Sequence, residues 1–175
     1  MVLCDTDKVN AEMRDFLYRD RNKLTVYSKS MLGLAMPKIN RIEERDMLVR
    51  NVEQFLVIDN ENQSAYLELK NGGYWWSWYG SEFESQAYYL KLLAAVKPKS
   101  PQASGLAKYL INNRKHATYW NSTRDTAICI EALADYVRAT GESDPDMTVE
   151  ILLNGKKLKE VKINKDNILN YDNKL

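Results

Sequence analysis

A tryptophan followed by a short polar segment and a long helical pattern constrains this chain more than any other feature. The segment Trp120–Ala127 reads Trp-Asn-Ser-Thr-Arg-Asp-Thr-Ala and runs directly into Ile128–Tyr136, which is rich in small apolar residues. Ser122 stands where a helix N-cap is expected, and Asp125 follows three positions later in the first turn. We therefore expect a helix over about residues 123–139.

Apolar residues cover most of the circumference of this expected helix. Two adjacent stripes share the apolar surface, namely Ala127, Ile130, Ala134 and Val137, and beside them Cys129, Ala132, Leu133 and Tyr136. A helix that is apolar on so much of its surface is surrounded by other elements. We expect it to belong to an inner layer, with Trp120 buried between helical hairpins.

The pattern resembles the signature of the helical thioester-bearing domain of alpha-2-macroglobulin and complement-like proteins. In that family a Trp-x-Ser-Thr-x-Asp-Thr-type motif opens an inner helix of an α/α toroid. The corresponding residues in this chain are Trp120, Ser122, Thr123, Asp125, Thr126 and Ala127. The resemblance covers about residues 25–140 and implies alternating inner and outer helices, with β domains before and after the toroid.

A weaker copy of the same pattern lies about 40 residues earlier. Its residues are Trp78, Ser81, Glu84 and Ala87. The offset also places Leu90 opposite Ile130 and Leu93 opposite Leu133. A period near 40 with two helices per repeat is typical of α/α arrays, in which each hairpin buries its apolar face on its neighbours.

Together with the remaining periodicity, these patterns predict a mostly α fold class. The expected fold is a partial α/α toroid of helical hairpins followed by a short β segment. Further helices are expected at about residues 5–21, 25–36, 41–55, 82–96 and 101–113, with Leu56 on the apolar face of the third. Alternation at 65–69 and the aromatic run 74–79 favour a small hairpin or an irregular aromatic loop.

The period changes after Gly141. Alternating runs on both sides of Asn154-Gly155 predict a β-hairpin. We therefore divide the chain into a helical domain, residues 1–143, and a hairpin at 144–175 that begins a following β domain.

Composition excludes several classes of function. The chain has 25 basic and 24 acidic residues and no basic stripe, so nucleic-acid binding is not expected. No apolar run approaches the roughly 20 residues of a membrane span. The N-terminus lacks the pattern of a secretory signal. Both ends lead us to expect a segment of a longer protein.

The reactive motif of the resembled family is missing from this sequence. A Cys-Gly-Glu-Gln-like motif forms the internal thioester there, but neither Cys4 nor Cys129 begins such a motif. The single histidine, His116, has no motif context and is interpreted as a solvated loop residue. One His and two distant Cys provide no metal-ligand spacing, so neither a metal nor another cofactor is expected.

Two groups of residues leave a catalytic function open as an alternative. Glu82, Glu84 and Asp125 stand near the starts of two helices, where carboxylates could act as the acid and base of an α/α-toroid glycosidase. Capping and helix-dipole complementarity explain the same positions and are favoured. Trp75, Trp76 and Trp78 could stack on sugars, although a hydrophobic plug between repeats is the favoured interpretation.

The leading hypothesis is a non-catalytic helical domain of an alpha-2-macroglobulin-like, protease-trapping inhibitor. By resemblance, its partners are proteases, bound through the full-length protein, and the other domains of that protein. Its expected location is extracellular, periplasmic or envelope-associated. The alternatives are an α/α-toroid enzyme acting on polysaccharide and a helical-repeat interaction module.

Overall fold

The fold is mostly helical, with two small antiparallel hairpins. The computed structural model describes residues 4, 6, 8–69, 81–116, 118–142 and 145–167. The chain divides into two compact units, residues 1–139 and residues 140–175. The expected mostly α class is confirmed.

The first unit contains the helices, and their order follows the sequence pattern closely. The α-helices are α1 (Ala11–Arg19), α2 (Val26–Ala35), α3 (Ile42–Glu53), α4 (Glu82–Val96), α5 (Pro101–Asn112) and α6 (Thr123–Thr140). Short 3-10 turns occupy Arg21–Lys23 and Met36–Ile39. Pro37 lies in the second of these turns, since a proline ring is compatible with a first turn but not with the interior of α2.

A short hairpin separates α3 from α4. Strand β1 (Leu56–Asp59) pairs antiparallel with β2 (Ser64–Leu67), in a register that places Leu56 opposite Leu67. The Asp59 carboxylate accepts hydrogen bonds from the backbone and side-chain amides of Asn62, at 3.0 and 2.7 Å, and so closes the turn.

Two expectations for this region change. The assignment of Leu56 to the α3 face is wrong, because the helix ends at Glu53 and Leu56 begins a strand. The strand expected at 65–69 exists, but within the described residues its partner is β1. The aromatic run 74–79 lies outside the described residues.

Helix α4 is the centre of the hydrophobic core. It packs against α2, α5 and β2, and its buried residues face all directions: Phe83, Ser85, Gln86, Ala87, Tyr89, Leu90, Lys91, Leu92, Leu93 and Ala94. Helix α5 approaches β2 at Gly105, where an added Cβ would lie only 2.9 Å from the Cβ of Ala65. This glycine allows the helix backbone to lie directly on the strand.

Gln86 joins α4 to the end of β2. Its side chain is fully buried, and its Oε1 accepts from the backbone amide of Leu67 at 2.8 Å. Its Nε2 donates to the carbonyl of the same residue at 2.9 Å. One amide side chain thus satisfies both backbone groups of Leu67, as a neighbouring strand would.

Helix α6 is less enclosed than its composition suggests. Cys129, Ala132 and Tyr136 are buried, whereas Ala127 is exposed and Ile130 is 54% exposed. The inner-layer expectation is therefore wrong for Ala127 and Ile130, whereas Val137 of the same stripe is partly buried against the core. The described elements cover one face of α6 only, while α4 is enclosed from several sides.

The second unit is a two-stranded hairpin. Strands β3 (Asp146–Leu153) and β4 (Lys156–Asn164) pair antiparallel around Asn154 and Gly155. Both turn residues have positive φ, 51° and 79°, as a tight hairpin turn with Asn-Gly requires. The register shifts between Ile151 and Leu152. The hairpin predicted from the Asn-Gly signal is confirmed.

Candidate functional site at the openings of two helices

The Trp120 motif ties the end of α5 to the beginning of α6. Trp120 is only 3% exposed, and its Nε1 donates to the carbonyl of Leu110 at 2.9 Å. Leu110 lies in the last turn of α5, where carbonyls have no partner within the helix. The Trp120 amide in turn donates to Thr126 Oγ1 at 3.1 Å. The expected burial of Trp120 is confirmed.

Ser122 caps the first turn of α6. Its Oγ accepts from the amide of Asp125 at 3.0 Å, and its carbonyl accepts from the Thr126 hydroxyl at 2.8 Å. Thr126 therefore links the cap to Trp120. Of the remaining motif residues, Asp125 is buried, whereas Thr123 and Ala127 are exposed. The Trp120, Ser122 and Thr126 side chains are thus all hydrogen-bonded to other groups of the chain.

Helix α4 opens with the same kind of cap. Ser81 Oγ accepts from the Glu84 amide at 3.4 Å, and Ala87 is fully buried one turn later. The Glu84 carboxylate lies 3.5 Å from the guanidinium of Arg124, the second residue of α6. The two openings therefore lie side by side. Trp78, the remaining residue of the second copy, lies outside the described residues.

Glu84 and Asp125 lie in the first turns of α4 and α6, which the Glu84–Arg124 ion pair joins. Burial raises the pKa of Glu84; Arg124 opposes this rise and Asp125 adds to it. Asp125 is 3% exposed, and its Oδ1 has no hydrogen-bond partner among the described residues. The Glu84 side chain retains 14% exposure. Both carboxylates are therefore largely enclosed, each near the N-terminus of its helix.

Lys91 makes a second polar connection between α4 and α6. Its buried ammonium lies 2.6 Å from Glu131 Oε1 and 2.8 Å from Asp135 Oδ2. Burial lowers the pKa of Lys91, but the hydrogen bonds to Asp135 and Glu131 outweigh it, and the pKa is raised. Lys91 was not predicted from the sequence. Its two partners, Glu131 and Asp135, are four residues apart and so lie on the same face of α6, which was a usable signal.

The other candidate residues do not join this site. Cys129 is fully buried, and burial followed by the charge of Asp125 raises the pKa of its thiol to about 12. His116 is exposed and stacks on Tyr119 with ring centroids 4.4 Å apart. Within the described ranges, no three His, Cys, Asp or Glu side chains are grouped as metal ligands would be.

No known protein family matches this sequence, and no curated protein is significantly similar to it. None of the helices in the described part of the chain combines the length and hydropathy needed to cross a bilayer.

The Glu84 environment predicts a specific pH dependence. Because the folded state raises the pKa of Glu84 above its ordinary value of 4.5, the folded state binds this proton more tightly than the unfolded state. The contribution of Glu84 to stability should therefore fall as pH rises through and above 4.5. Thermal melts from about pH 4 to about pH 7 should show Glu84→Gln gaining stability relative to the unmodified chain.

The exposed Glu61 in the β1–β2 turn provides a matched control. Glu61→Gln makes the same chemical change at an open position, so its difference from the unmodified chain should stay nearly constant with pH. A Glu84→Gln difference that is equally flat would contradict the inferred burial of this carboxylate.

Proposed function

We propose that this chain supplies the non-catalytic helical domain of an alpha-2-macroglobulin-like, protease-trapping inhibitor. The observation that carries the proposal is that the Trp120 motif forms hydrogen bonds within the chain, between the end of α5 and the beginning of α6. Trp120 caps α5, Ser122 caps α6, and Thr126 joins them. Such a motif sets the angle and spacing of successive helices, which is a scaffold role of the kind that the resemblance implies.

In this proposal the helices form part of an α/α toroid. The offset of 40 pairs the enclosed Ala87 and Leu90 of α4 with the exposed Ala127 and Ile130 of α6. A further helical hairpin on α6 would give its stripe the cover that the equivalent stripe of α4 has. The β3–β4 hairpin would then begin the β domain that follows the toroid.

The mechanism that the resemblance implies assigns a mechanical role to this domain. Proteolysis of a bait segment elsewhere in the full-length protein would rearrange the domains around the attacking protease. The helical domain would move as a rigid unit and present contact surfaces. By resemblance the protein would be extracellular, periplasmic or envelope-associated, and its partners would be proteases and its own neighbouring domains.

The polysaccharide-active alternative receives less support from the acidic pair. A general acid or base has to come within about 3 Å of the proton that it transfers, directly or through one water. Asp125 is enclosed at 3% exposure, and Glu84 faces Arg124. Both carboxylates are better explained as parts of the contact between α4 and α6.

Trapping has a distinctive kinetic signature, which provides the test. A caged protease still cleaves small peptide substrates but loses access to large protein substrates. The native protein, isolated with an antibody against this chain, should therefore suppress cleavage of a protein substrate while sparing cleavage of a short chromogenic peptide. The 175-residue chain alone should suppress neither. Equal inhibition of both substrates would contradict trapping.

A polysaccharide panel tests the alternative directly. We expect no turnover by the 175-residue chain. Robust turnover that is lost in Glu84→Gln or in Asp125→Asn would replace the scaffold proposal with the glycosidase.

A further inference from the structure

The loop between α5 and α6 contains an exposed arginine in irregular backbone. Arg114 follows Asn113, the C-cap of α5, and lies outside any helix or strand. Arg41 stands at the N-cap of α3, where it is half-buried and ion-paired with Glu44. The chain's other arginines all lie within helices or 3-10 turns, namely Arg14, Arg19, Arg21, Arg45, Arg50, Arg124 and Arg138. Arg114 is therefore the arginine that an enzyme can reach without opening a helix or a helix cap.

The backbone on the carboxyl side of Arg114 is held by bonds within the loop. The amides of Lys115 and His116 both donate to the carbonyl of Tyr119, at 3.1 and 3.4 Å. The His116 ring also stacks on the Tyr119 ring, and all three residues are exposed. Opening this part of the loop therefore costs local, solvent-exposed bonds rather than core packing.

The Arg114 side chain is accessible to a partner. Its Nε donates to the carbonyl of Ile111 at 2.9 Å, which is an exposed bond within the same turn. An arginine-specific protease binds the guanidinium of the residue before the cut with a carboxylate in its specificity pocket. Such enzymes bind their substrates in an extended conformation, which an irregular loop adopts more easily than a helix. The loop therefore suits this class of protease.

The position of the loop keeps it accessible in the array proposed above. A further hairpin would cover the side of α6 that carries Ala127 and Ile130. The connecting loops of helical repeats lie along one face of the array instead of between hairpins. Cover on α6 would therefore leave the loop open to solvent.

Residues on both sides of Arg114 pack into one core. Trp120 Nε1 donates to the Leu110 carbonyl across the loop. Lys91 of α4 pairs with Glu131 and Asp135 of α6. The hydrophobic cluster takes residues from before and after the loop, including Leu106, Leu110, Trp120, Ile128, Cys129, Ala132 and Tyr136. Breaking the chain in the loop therefore leaves these contacts in place.

We propose that the Arg114–Lys115 peptide bond is a cleavage site for an arginine-specific endoprotease, and that the cut chain stays folded as two associated pieces. Water is the second reactant. The C–N bond breaks, the Arg114 carbonyl becomes a carboxylate, and the Lys115 nitrogen becomes an ammonium group. The pieces are residues 1–114 and 115–175. This inference does not depend on the function proposed above, because it concerns which protease cuts this chain and not which protease the full-length protein traps.

The test is limited digestion of the full 175-residue chain with clostripain, a protease that cuts after arginine. Mass spectrometry should identify residues 1–114 and 115–175 as the first products. They should form at least about tenfold faster than any other product, because cleavage follows the population of locally open chain. On a size-exclusion column the cut chain should elute with the intact chain, and the pieces should separate in urea. The heat-unfolded chain, in which every arginine is accessible, verifies that the protease is active.

Variants of the chain provide the matched control. Arg114→Gln should slow the loss of intact chain by about tenfold or more. Arg50→Gln makes the same change at an exposed position within α3 and should leave the rate within about twofold. Circular dichroism verifies that both variants fold.

Three outcomes would overturn the proposed site. They are a first cut after another arginine, an Arg114→Gln chain that is lost as fast as the unmodified chain, and a folded chain that resists digestion under conditions that degrade the unfolded chain. Separation of the two pieces on the column without denaturant would contradict the two-piece form.

Discussion

Replacing Trp120 with alanine should lower the free energy of unfolding by about 3–5 kcal/mol, the usual cost of truncating a buried tryptophan. The indole is 3% exposed within the core and also satisfies the Leu110 carbonyl at the end of α5. Urea denaturation followed by far-ultraviolet circular dichroism measures the change. A midpoint equal to that of the unmodified chain would mean that the motif does not hold the two helices together.

Two variants divide this effect into its parts. Trp120→Phe keeps most of the apolar contact but removes the Nε1–H donor, so it should cost an intermediate amount, about 1–3 kcal/mol. Tyr119→Ala removes the neighbouring aromatic ring, which is 44% exposed and stacks on His116. That change should lower the free energy of unfolding by no more than about 1 kcal/mol. If Trp120→Phe and Trp120→Ala were equally destabilising, the hydrogen bond rather than the packing would dominate.

Replacing Gln86 with leucine should be comparably severe. It removes both hydrogen bonds to Leu67 and leaves a buried amide and a buried carbonyl without their side-chain partner. Each unsatisfied group costs about 1–3 kcal/mol, so a loss of roughly 2–6 kcal/mol is expected. Hydrogen exchange provides a local readout, because the Leu67 amide should lose protection even if the helices stay folded.

Two further substitutions test the geometry at Gln86. Gln86→Glu keeps an acceptor for the Leu67 amide but buries a carboxylate that cannot donate to the Leu67 carbonyl, so it should be unstable at neutral pH and recover at acid pH. Gln102→Leu makes the leucine substitution at a half-buried position of α5 and should change stability little. Unchanged Leu67 protection in Gln86→Leu would contradict the role of this amide.

Local chemistry explains why the beginnings of α4, α5 and α6 were predictable. Ser81, Ser100 and Ser122 each accept from the amide three residues later, so the beginnings of α4, α5 and α6 follow from the sequence alone. Pro101 strengthens the second of these signals. The Asn154-Gly155 turn fixes the last hairpin in the same local way.

Features that depend on tertiary neighbours were not predictable. The strand Leu56–Asp59 is a short apolar run directly after a helix, and periodicity cannot separate such a run from a helical continuation. Gln86 and Leu67 are 19 residues apart, and nothing in either local sequence marks them as partners. The exposure of Ala127 could not be predicted for a related reason. An apolar pattern indicates that a helix face is suited to burial, but it does not indicate which element covers that face.

The bond from Trp120 to Leu110 has a consequence for how this protein could vary. It joins the last turn of α5 directly to the segment that precedes the cap of α6, across ten positions of the sequence. Lengthening a closed loop costs little conformational entropy, about 0.6 kcal/mol for each doubling. The connection after Asn113 is therefore a place where residues can be inserted while the crossing of the two helices is preserved, and new binding specificity could arise there without rebuilding the core.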